Sequence, residues 1–242
     1  VVGAGCLSFP GAISTGSELG FIDAVFTSTS ALCVTGLITK DTATDFTFLG
    51  QLMILILIQI GGLGVMSVAA MVSLMAGQGI GVTESRQLRE MFQGEYLRES
   101  RQLIKFILLF TLIFESIGAL FLYFGLGSEA FDSPQRIWFA VFHSVSAFCN
   151  AGFSTYSDSL VSLSDNTIFV NTVTSLLVVG GLGFAVVANL LAYLKGRALG
   201  NRKIRLSVQT KVVVSISIAL LFIGAGLIYF CDVGNAFADK TL

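Results

Sequence analysis

Long uncharged stretches alternate with short polar ones along this chain. Residues 46–83, 166–194 and 212–231 carry no charged side chain, and residues 106–128 carry only Glu115. A helix needs about 20 apolar residues to cross a hydrocarbon core of about 30 Å. The pattern therefore predicts an all-α membrane protein. Its predicted crossing helices are 48–77, 102–126, 166–194 and a last one that begins at 212.

One segment of fourteen residues occurs twice. Residues 24–37 recur as residues 140–153, with eight of the fourteen positions identical. Each copy is followed by Gly-Gly-Leu-Gly, at 61–64 and at 180–183. A pattern that recurs in this way indicates one structural unit used more than once.

The apolar start of each copy is too short to cross a bilayer. Residues 22–32 make about three helical turns and residues 135–148 about four, at about 1.5 Å per residue. Such segments must enter the membrane and return to the same side. Non-helical backbone at membrane depth is tolerated only where protein or a water-filled cavity covers it. We therefore predict two re-entrant half-helices whose return segments, 33–37 and 149–153, line a pore.

Together these elements predict tandem, parallel membrane-pore-membrane repeats. The first repeat covers 1–78, with the start of its outward helix missing, and the second covers 102–195. Residues 79–101 are predicted to form a cytoplasmic connector and residues 196–211 a basic cytoplasmic loop. Residues 212–242 would supply the outward helix of a third repeat. We expect the chain to be part of a longer protein with more such repeats.

Composition and charge agree with lipid as the solvent. The chain is 54% hydrophobic and 12% charged, whereas soluble domains are about 25% charged. Eleven of the fourteen Lys and Arg lie in 86–105 and 195–211, and clusters of positive charge mark cytoplasmic loops. Ten of the fifteen acidic residues fall on the other side, where they would concentrate cations. Salt-bridged, solvated surface is the expected character of 80–101, with docking of a cytosolic partner as the alternative.

The two return segments carry the candidate chemistry. A half-helix that enters from outside places the negative end of its dipole near the membrane midplane, where it favours a cation. Rings of backbone carbonyl oxygens replace the hydration shell of a monovalent cation, and glycine supplies backbone angles that other residues avoid. The predicted ligands are the backbone carbonyl oxygens of Val34, Thr35, Gly36, Asn150, Ala151 and Gly152.

Other polar residues are assigned structural roles. Cys33 and Cys149, which flank the candidate filter loops, are expected to be small packing residues. His143 replaces Thr27 of the first copy and is expected to be packed and hydrogen-bonded. Glu115 is ionisable inside a crossing helix, and we expect a structural hydrogen bond to a neighbouring half-helix. With one histidine and no Cys-x-x-Cys, the chain has neither a zinc motif nor a disulfide framework.

Glycines and amides on the long helices are interpreted as packing features. The Gly-Gly-Leu-Gly sequences at 61–64 and 180–183 are predicted to allow close helix contacts, with a hinge as the alternative. The amides are predicted to form interhelical hydrogen bonds. They are Gln51, Gln59, Asn171 and Asn189.

Three motifs, in order and in spacing, resemble those of the Trk/Ktr/HKT superfamily of potassium transporters, and within it the KtrB-type membrane subunits. They are Ser-Ala-Leu-Cys-Val-Thr-Gly-Leu at 30–37, Ile-Gln-Ile-Gly-Gly-Leu-Gly at 58–64, and Phe-His-Ser-Val-Ser-Ala-Phe-Cys-Asn-Ala-Gly-Phe at 142–153. The resemblance implies four repeats around one pore, of which this chain would hold two. It implies one filter glycine per repeat, with Gly36 and Gly152 as the first two.

The resemblance also implies an activity and partners. The activity is potassium uptake across the plasma membrane, with sodium dependence in many members and the filter side facing outward. The partners are a second pore subunit, in a homodimer, and a cytosolic KtrA-like ring that binds nucleotide and would contact the basic face. This chain itself would hold no cofactor and would not bind nucleic acid.

Two other classes of function stay open from the residues alone. A secondary transporter with alternating access also binds ions at the midplane through discontinuous helices. Its inverted repeats would place successive half-helices on opposite faces, whereas the charges here place both on one face. An intramembrane enzyme would need a nucleophile–base pair, and the single histidine, His143, has no counterpart in the first copy.

Overall fold

The computed structural model describes residues 2–17, 19–64, 100–126, 133–200 and 205–232, and these residues are mostly helical. The all-α class is confirmed for this part of the chain. The predicted connector at 79–101 lies almost entirely outside the described residues, as do positions 65–77 and 233–242. The α-helices are α1 (Val2–Leu7), α2 (Phe21–Leu32), α3 (Phe48–Leu63), α4 (Ser100–Gly125), α5 (Ser133–Phe148), α6 (Thr167–Leu182), α7 (Phe184–Ala198) and α8 (Val208–Asp232).

Two helices are long and apolar enough to cross a membrane. They are the segment Lys105–Gly125 of α4, with 21 residues, and the segment Val208–Phe230 of α8, with 23 residues. Both exceed the length of about 20 residues that a bilayer requires. A third span results if α6 and α7 together are one broken span. The chain is therefore built like an integral membrane protein.

The two half-helices and the long helices begin close to the predicted positions. Helix α2 covers Phe21–Leu32 where 22–32 was the prediction, and α5 covers Ser133–Phe148 in place of 135–148. Helix α3 begins at Phe48 because Thr47 caps it, its hydroxyl accepting a hydrogen bond from the Gly50 N–H at 3.3 Å. Such a cap satisfies one of the unpaired amides of the first turn.

Glycines end two of the helices that the sequence predicted as longer. Helix α3 ends at Gly64, whose φ is 80°, and α6 ends before Gly183, whose φ is 82°. Glycine adopts this left-handed conformation without the steric cost that a Cβ adds. The predicted single helix over 166–194 is therefore two helices in the structure, separated at Gly183.

The chain forms two compact units, residues 1–181 and residues 182–242. In the first unit α1, α2 and α3 pack on one another, α4 packs on α5, and α3 also contacts α5. Its largest completely buried side chains include Phe142, Ile54 and Ile58. The core therefore lies where the two half-helices meet α3.

In the second unit α7 packs against α8. The N–H of Ser207 donates to Asn189 Oδ1 at 3.0 Å, and Ser207 Oγ accepts from the N–H of Thr210 at 3.1 Å at the start of α8. These bonds tie the entry of α8 to α7. Apolar side chains along α8, such as Phe222 and Phe230, are exposed in the described structure, as suits a helix surrounded by lipid.

Candidate functional site

The two predicted filter loops, 33–37 and 149–153, have the same backbone conformation. Val34 and Gly36 have φ values of 57° and 75°, and Asn150 and Gly152 have values of 58° and 74°. Left-handed φ is uncommon for residues other than glycine and costly for a β-branched residue such as Val34. Conformations of this kind persist only where the surroundings determine them. The fourteen-residue similarity therefore extends to an unusual backbone geometry.

Matching hydrogen bonds hold both loops to their own half-helices. In each loop three successive N–H groups donate to carbonyl oxygens of the last two turns of the preceding half-helix. The first set is Cys33 to Thr29 (2.8 Å), Val34 to Ala31 (3.3 Å) and Thr35 to Ser30 (2.9 Å). The second set is Cys149 to Val145 (2.9 Å), Asn150 to Ala147 (3.0 Å) and Ala151 to Ser146 (2.8 Å).

These bonds determine where the loop carbonyls point. All peptide bonds in the described residues are trans, and in a trans peptide the C=O of one residue points opposite the N–H of the next. The N–H groups of Val34 and Thr35 face their half-helix, so the carbonyls of Cys33 and Val34 point away from it. The same holds for the carbonyls of Cys149 and Asn150. The backbone thus presents carbonyl oxygens on the side away from each half-helix.

Side chains reinforce this arrangement. Thr35 Oγ1 donates to Ser30 Oγ at 2.9 Å in the first loop, and Ser146 Oγ donates to the carbonyl oxygen of Phe153 at 2.7 Å in the second. The side-chain amide of Asn150, in the orientation that satisfies both of its polar atoms, donates to the Leu177 carbonyl and accepts from the Gly181 N–H, each at 3.2 Å. The second loop is therefore tied to α6 as well as to α5.

The two loops meet at their glycines. A Cβ placed on Gly36 would lie 2.6 Å from the carbonyl oxygen of Ala151 and 3.2 Å from the Cα of Gly152. A Cβ placed on Gly152 would lie 3.4 Å from the Cα of Gly36. The structure therefore brings Gly36 of the first loop together with Ala151 and Gly152 of the second, although the two loops are 116 residues apart in the sequence.

In each Gly-Gly-Leu-Gly sequence the first and the last glycine have different structural roles. A Cβ on Gly61 would overlap the carbonyl oxygen of Leu32, and a Cβ on Gly180 would overlap that of Phe148. The first glycine thus lets each long helix touch the end of its half-helix, in agreement with the predicted close packing. The last glycine, Gly64 or Gly183, ends the helix in the left-handed conformation.

His143 is buried and hydrogen-bonded, and this prediction is confirmed. It is 3% exposed. Its Nδ1 lies 2.8 Å from the carbonyl oxygen of Phe139 and its Nε2 lies 3.0 Å from Ser154 Oγ. The rings of Tyr156 and Phe169 pack on it, with centroids 5.4 and 5.9 Å away. His143 therefore joins the half-helix α5 to the segment that follows the second loop.

Glu115 and the two cysteines differ in part from expectation. The half-helix α5 does bond to Glu115, but to the backbone of Glu115 and not to its carboxyl group. Ser144 Oγ donates to the Glu115 carbonyl oxygen at 2.7 Å. The carboxyl group instead lies against the side-chain amide of Gln59 on α3. Cys149 packs against Gly62, whereas Cys33 is exposed. Within the described residues, the packing role predicted for both cysteines is therefore seen only at Cys149.

Two anchors of the half-helix α5 complete the site. The indole Nε1 of Trp138 donates to Gln51 Oε1 at 2.7 Å, which confirms an interhelical bond predicted for Gln51. The guanidinium of Arg136 donates to the carbonyl oxygen of Tyr123 at 2.8 Å and lies 4.1 Å from the centroid of its ring. Sequence reasoning missed Arg136. Its position as the one basic residue among the acidic residues of 129–165 was the available signal.

The long apolar helices and the paired glycine loops together define the class of this chain as an integral membrane protein. The family model described as a cation transport protein, TrkH, matches residues 5–239. This chain belongs to the TrkH family.

Characterised relatives include proteins named for potassium uptake. The chain is 37% identical over 233 residues to the potassium/sodium uptake protein NtpJ of Enterococcus hirae, covering 96% of this chain and 50% of that protein. It is 34% identical to the Ktr system potassium uptake protein B of Bacillus subtilis, covering 97% and 51%. It is 34% identical to the protein of that name from Vibrio alginolyticus, covering 90% and 47%. The chain thus spans about half the length of these curated relatives.

Proposed function

We propose that the protein takes up potassium across the plasma membrane through a channel-like pore, and that loops 33–37 and 149–153 form two of its four filter loops. The observation that carries this proposal is the matched pair of loops, with left-handed φ at Val34 and Gly36 and again at Asn150 and Gly152. Membership of the TrkH family and the potassium-uptake names of the relatives support the choice of ion.

The chemistry of the proposed pore is exchange of water for peptide oxygens. A cation that enters the pore loses part of its hydration shell, and carbonyl dipoles replace it. The first three N–H groups of each loop are bonded to the loop's own half-helix, so at Val34 and Asn150 a carbonyl oxygen rather than an amide hydrogen would face the ion. The half-helix adds the negative end of its dipole, equivalent to about half an elementary charge. No proton transfer or covalent step is required.

Within this proposal the chain holds two membrane-pore-membrane repeats. The first consists of α1, α2, the loop 33–37 and α3. The second consists of α4, α5, the loop 149–153 and the pair α6 and α7, and α8 begins a third repeat. Contact between Gly36 and Gly152 supports a common axis for the two loops.

The proposed assembly is a dimer of pore subunits on a cytosolic, nucleotide-binding, KtrA-like ring. The words "Ktr system" in the names of two relatives favour more than one component. The basic segments 86–105 and 195–211 would contact the ring, and nucleotide would bind there rather than on this chain. Sodium would be a coupled or activating ion, as the name potassium/sodium uptake protein suggests for one relative.

Reconstitution of the full-length protein tests the proposed function. Purified protein in liposomes, with an outward potassium gradient to supply the driving force, should accumulate radioactive rubidium or potassium well above protein-free liposomes. The same vesicles should exclude choline, since its size does not fit a cage of carbonyl oxygens. Accumulation of potassium no greater than in protein-free vesicles would refute the proposal.

A second prediction concerns the orientation in the membrane. Arg197 of the basic segment and Ser157, which follows the second loop, are both exposed. With the basic segment inside, a membrane-impermeant maleimide added to intact cells should label the variant Ser157→Cys and leave Arg197→Cys unlabelled. Permeabilised cells should show both labelled, with the unmodified protein as background. If Arg197→Cys were labelled in intact cells as fast as Ser157→Cys, the proposed orientation would be wrong.

A further inference from the structure

Glu115 is an acidic side chain buried in the middle of a crossing helix. It lies ten residues from either end of the segment Lys105–Gly125 and is 8% exposed. Its Oε1 atom has no hydrogen-bond partner among the described residues. Burying an incompletely bonded carboxyl group is costly, and ionisable residues inside membrane helices mark functional positions by default.

A chain of polar contacts leads from Glu115 to the second loop. The Glu115 carboxyl group lies against the side-chain amide of Gln59 on α3. The oxygen of the same Gln59 amide faces Cys149, whose Sγ lies 4.0 Å from Oε1. The amide oxygen accepts from the thiol, so the amide nitrogen is the end that donates to the carboxyl group. Glu115 thereby fixes which end of Gln59 faces the loop.

Tight packing around this chain leaves the loop little freedom. A Cβ on Gly62 would overlap Cys149 Sγ, and a Cβ on Gly118 would crowd Ser144 Oγ of the half-helix. Cys149 is followed directly by Asn150, whose backbone is held in the left-handed conformation with φ of 58°. Because Cys149 is packed tightly against α3 at Gly62, three residues after Gln59, a change in packing around Gln59 reaches Cys149 and the loop backbone.

This polar chain is not repeated in the second copy. Counting back from Gly-Gly-Leu-Gly, the position of Gln59 is occupied there by Val178. The polar contacts of Gln59 are therefore not a requirement of the shared fold.

We propose that Glu115 is a positioning residue for the loop 149–153, and that through Gln59 it sets how strongly that loop discriminates potassium from sodium. This inference rests on the proposed function. Carbonyl oxygens that are held apart suit the larger ion, whereas a loop that can relax lets them close around the smaller one. Loss of the polar contacts from Glu115 through Gln59 to Cys149 should therefore let sodium pass, rather than simply slow transport.

The test uses the full-length protein in liposomes, with potassium and sodium uptake measured side by side. Glu115→Leu and Gln59→Val, which copies Val178, should each lower the potassium-to-sodium uptake ratio about fivefold, within the range for coupled contacts. The double variant should lower it by about the same factor, because both changes break one chain. Glu115→Gln keeps a carbonyl oxygen that accepts from Gln59 and should retain the wild-type ratio within about twofold.

Thr111→Val is the matched control, because Thr111 lies one turn away on α4, is 2% exposed and has an Oγ1 without a partner among the described residues. Its ratio should equal that of the wild type. If Glu115→Leu does not reach the membrane, Gln59→Val decides the matter alone.

Wild-type protein that takes up no potassium would refute the proposed function. Wild-type uptake together with any of three results would overturn this inference alone: an unchanged ratio in Gln59→Val, equal loss in Glu115→Gln and Glu115→Leu, or a double variant whose loss is the product of the single losses.

Discussion

Replacing Gly36 by serine should lower the potassium-to-sodium uptake ratio of the full-length protein about tenfold or more, which corresponds to ~1.4 kcal/mol of lost discrimination. The φ of Gly36 is 75°, and a side chain in this conformation costs about 1–2 kcal/mol. Its Cβ would also lie 2.6 Å from the carbonyl oxygen of Ala151. The loop must move, and the oxygens that would contact the ion move with it. Rubidium and sodium fluxes into liposomes measure the change.

Two further variants make this result specific. Gly152→Ser should have the smaller effect of the two filter variants, since its Cβ would meet only the Cα of Gly36, at 3.4 Å. Gly16→Ser is the control, because Gly16 has a φ of 97° but nothing within 4 Å of an added Cβ. It shares the backbone strain without the contact and should leave selectivity unchanged. Wild-type discrimination in both filter variants would exclude a filter role for these glycines.

Replacing Gly61 or Gly180 by alanine should destabilise the protein by about 1–3 kcal/mol, the usual cost of overpacking. Each added methyl group would overlap a backbone carbonyl oxygen, of Leu32 or Phe148, and a backbone atom cannot turn aside as a flexible side chain can. The expected result is a lower thermal midpoint for the detergent-solubilised full-length protein. Fluorescence of a thiol-independent dye during heating measures it.

Gly224→Ala provides the control for this prediction. Gly224 lies in α8 with nothing within 4 Å of an added Cβ, so alanine should leave stability unchanged or raise it by about 0.5–1 kcal/mol through helix propensity. A Gly61→Ala variant as stable as Gly224→Ala would contradict close packing of α3 on the end of α2.

The helical class and the family could be predicted from the sequence because both depend on local patterns. Charged residues bracket the crossing segments, as Lys105 does at the start of 106–128. The half-helices lie within two residues of their predicted starts, at Phe21 and Ser133. Their ends coincide with the prediction at Leu32 and Phe148, directly before the cysteine that begins each loop.

Contacts between distant segments could not be predicted in the same way. Helix α3 is apolar on nearly all sides, so its sequence does not reveal that Gln59 faces Glu115 while Gly62 faces Cys149. Hydrophobic periodicity sets the rotation of a helix only where one side is polar. The sequence also did not distinguish the roles of Gly61 and Gly64. Gly61 lets α3 approach the end of α2, which depends on a distant contact, whereas Gly64 ends α3 through its own backbone conformation.

The contact between Gly62 and Cys149 constrains how the two copies can diverge over evolutionary time. A larger residue at position 62 has no room unless position 149 becomes smaller, although one lies in each copy. Substitutions at the two positions should therefore occur in compensating pairs among homologous sequences. At this contact neither copy can change independently of the other.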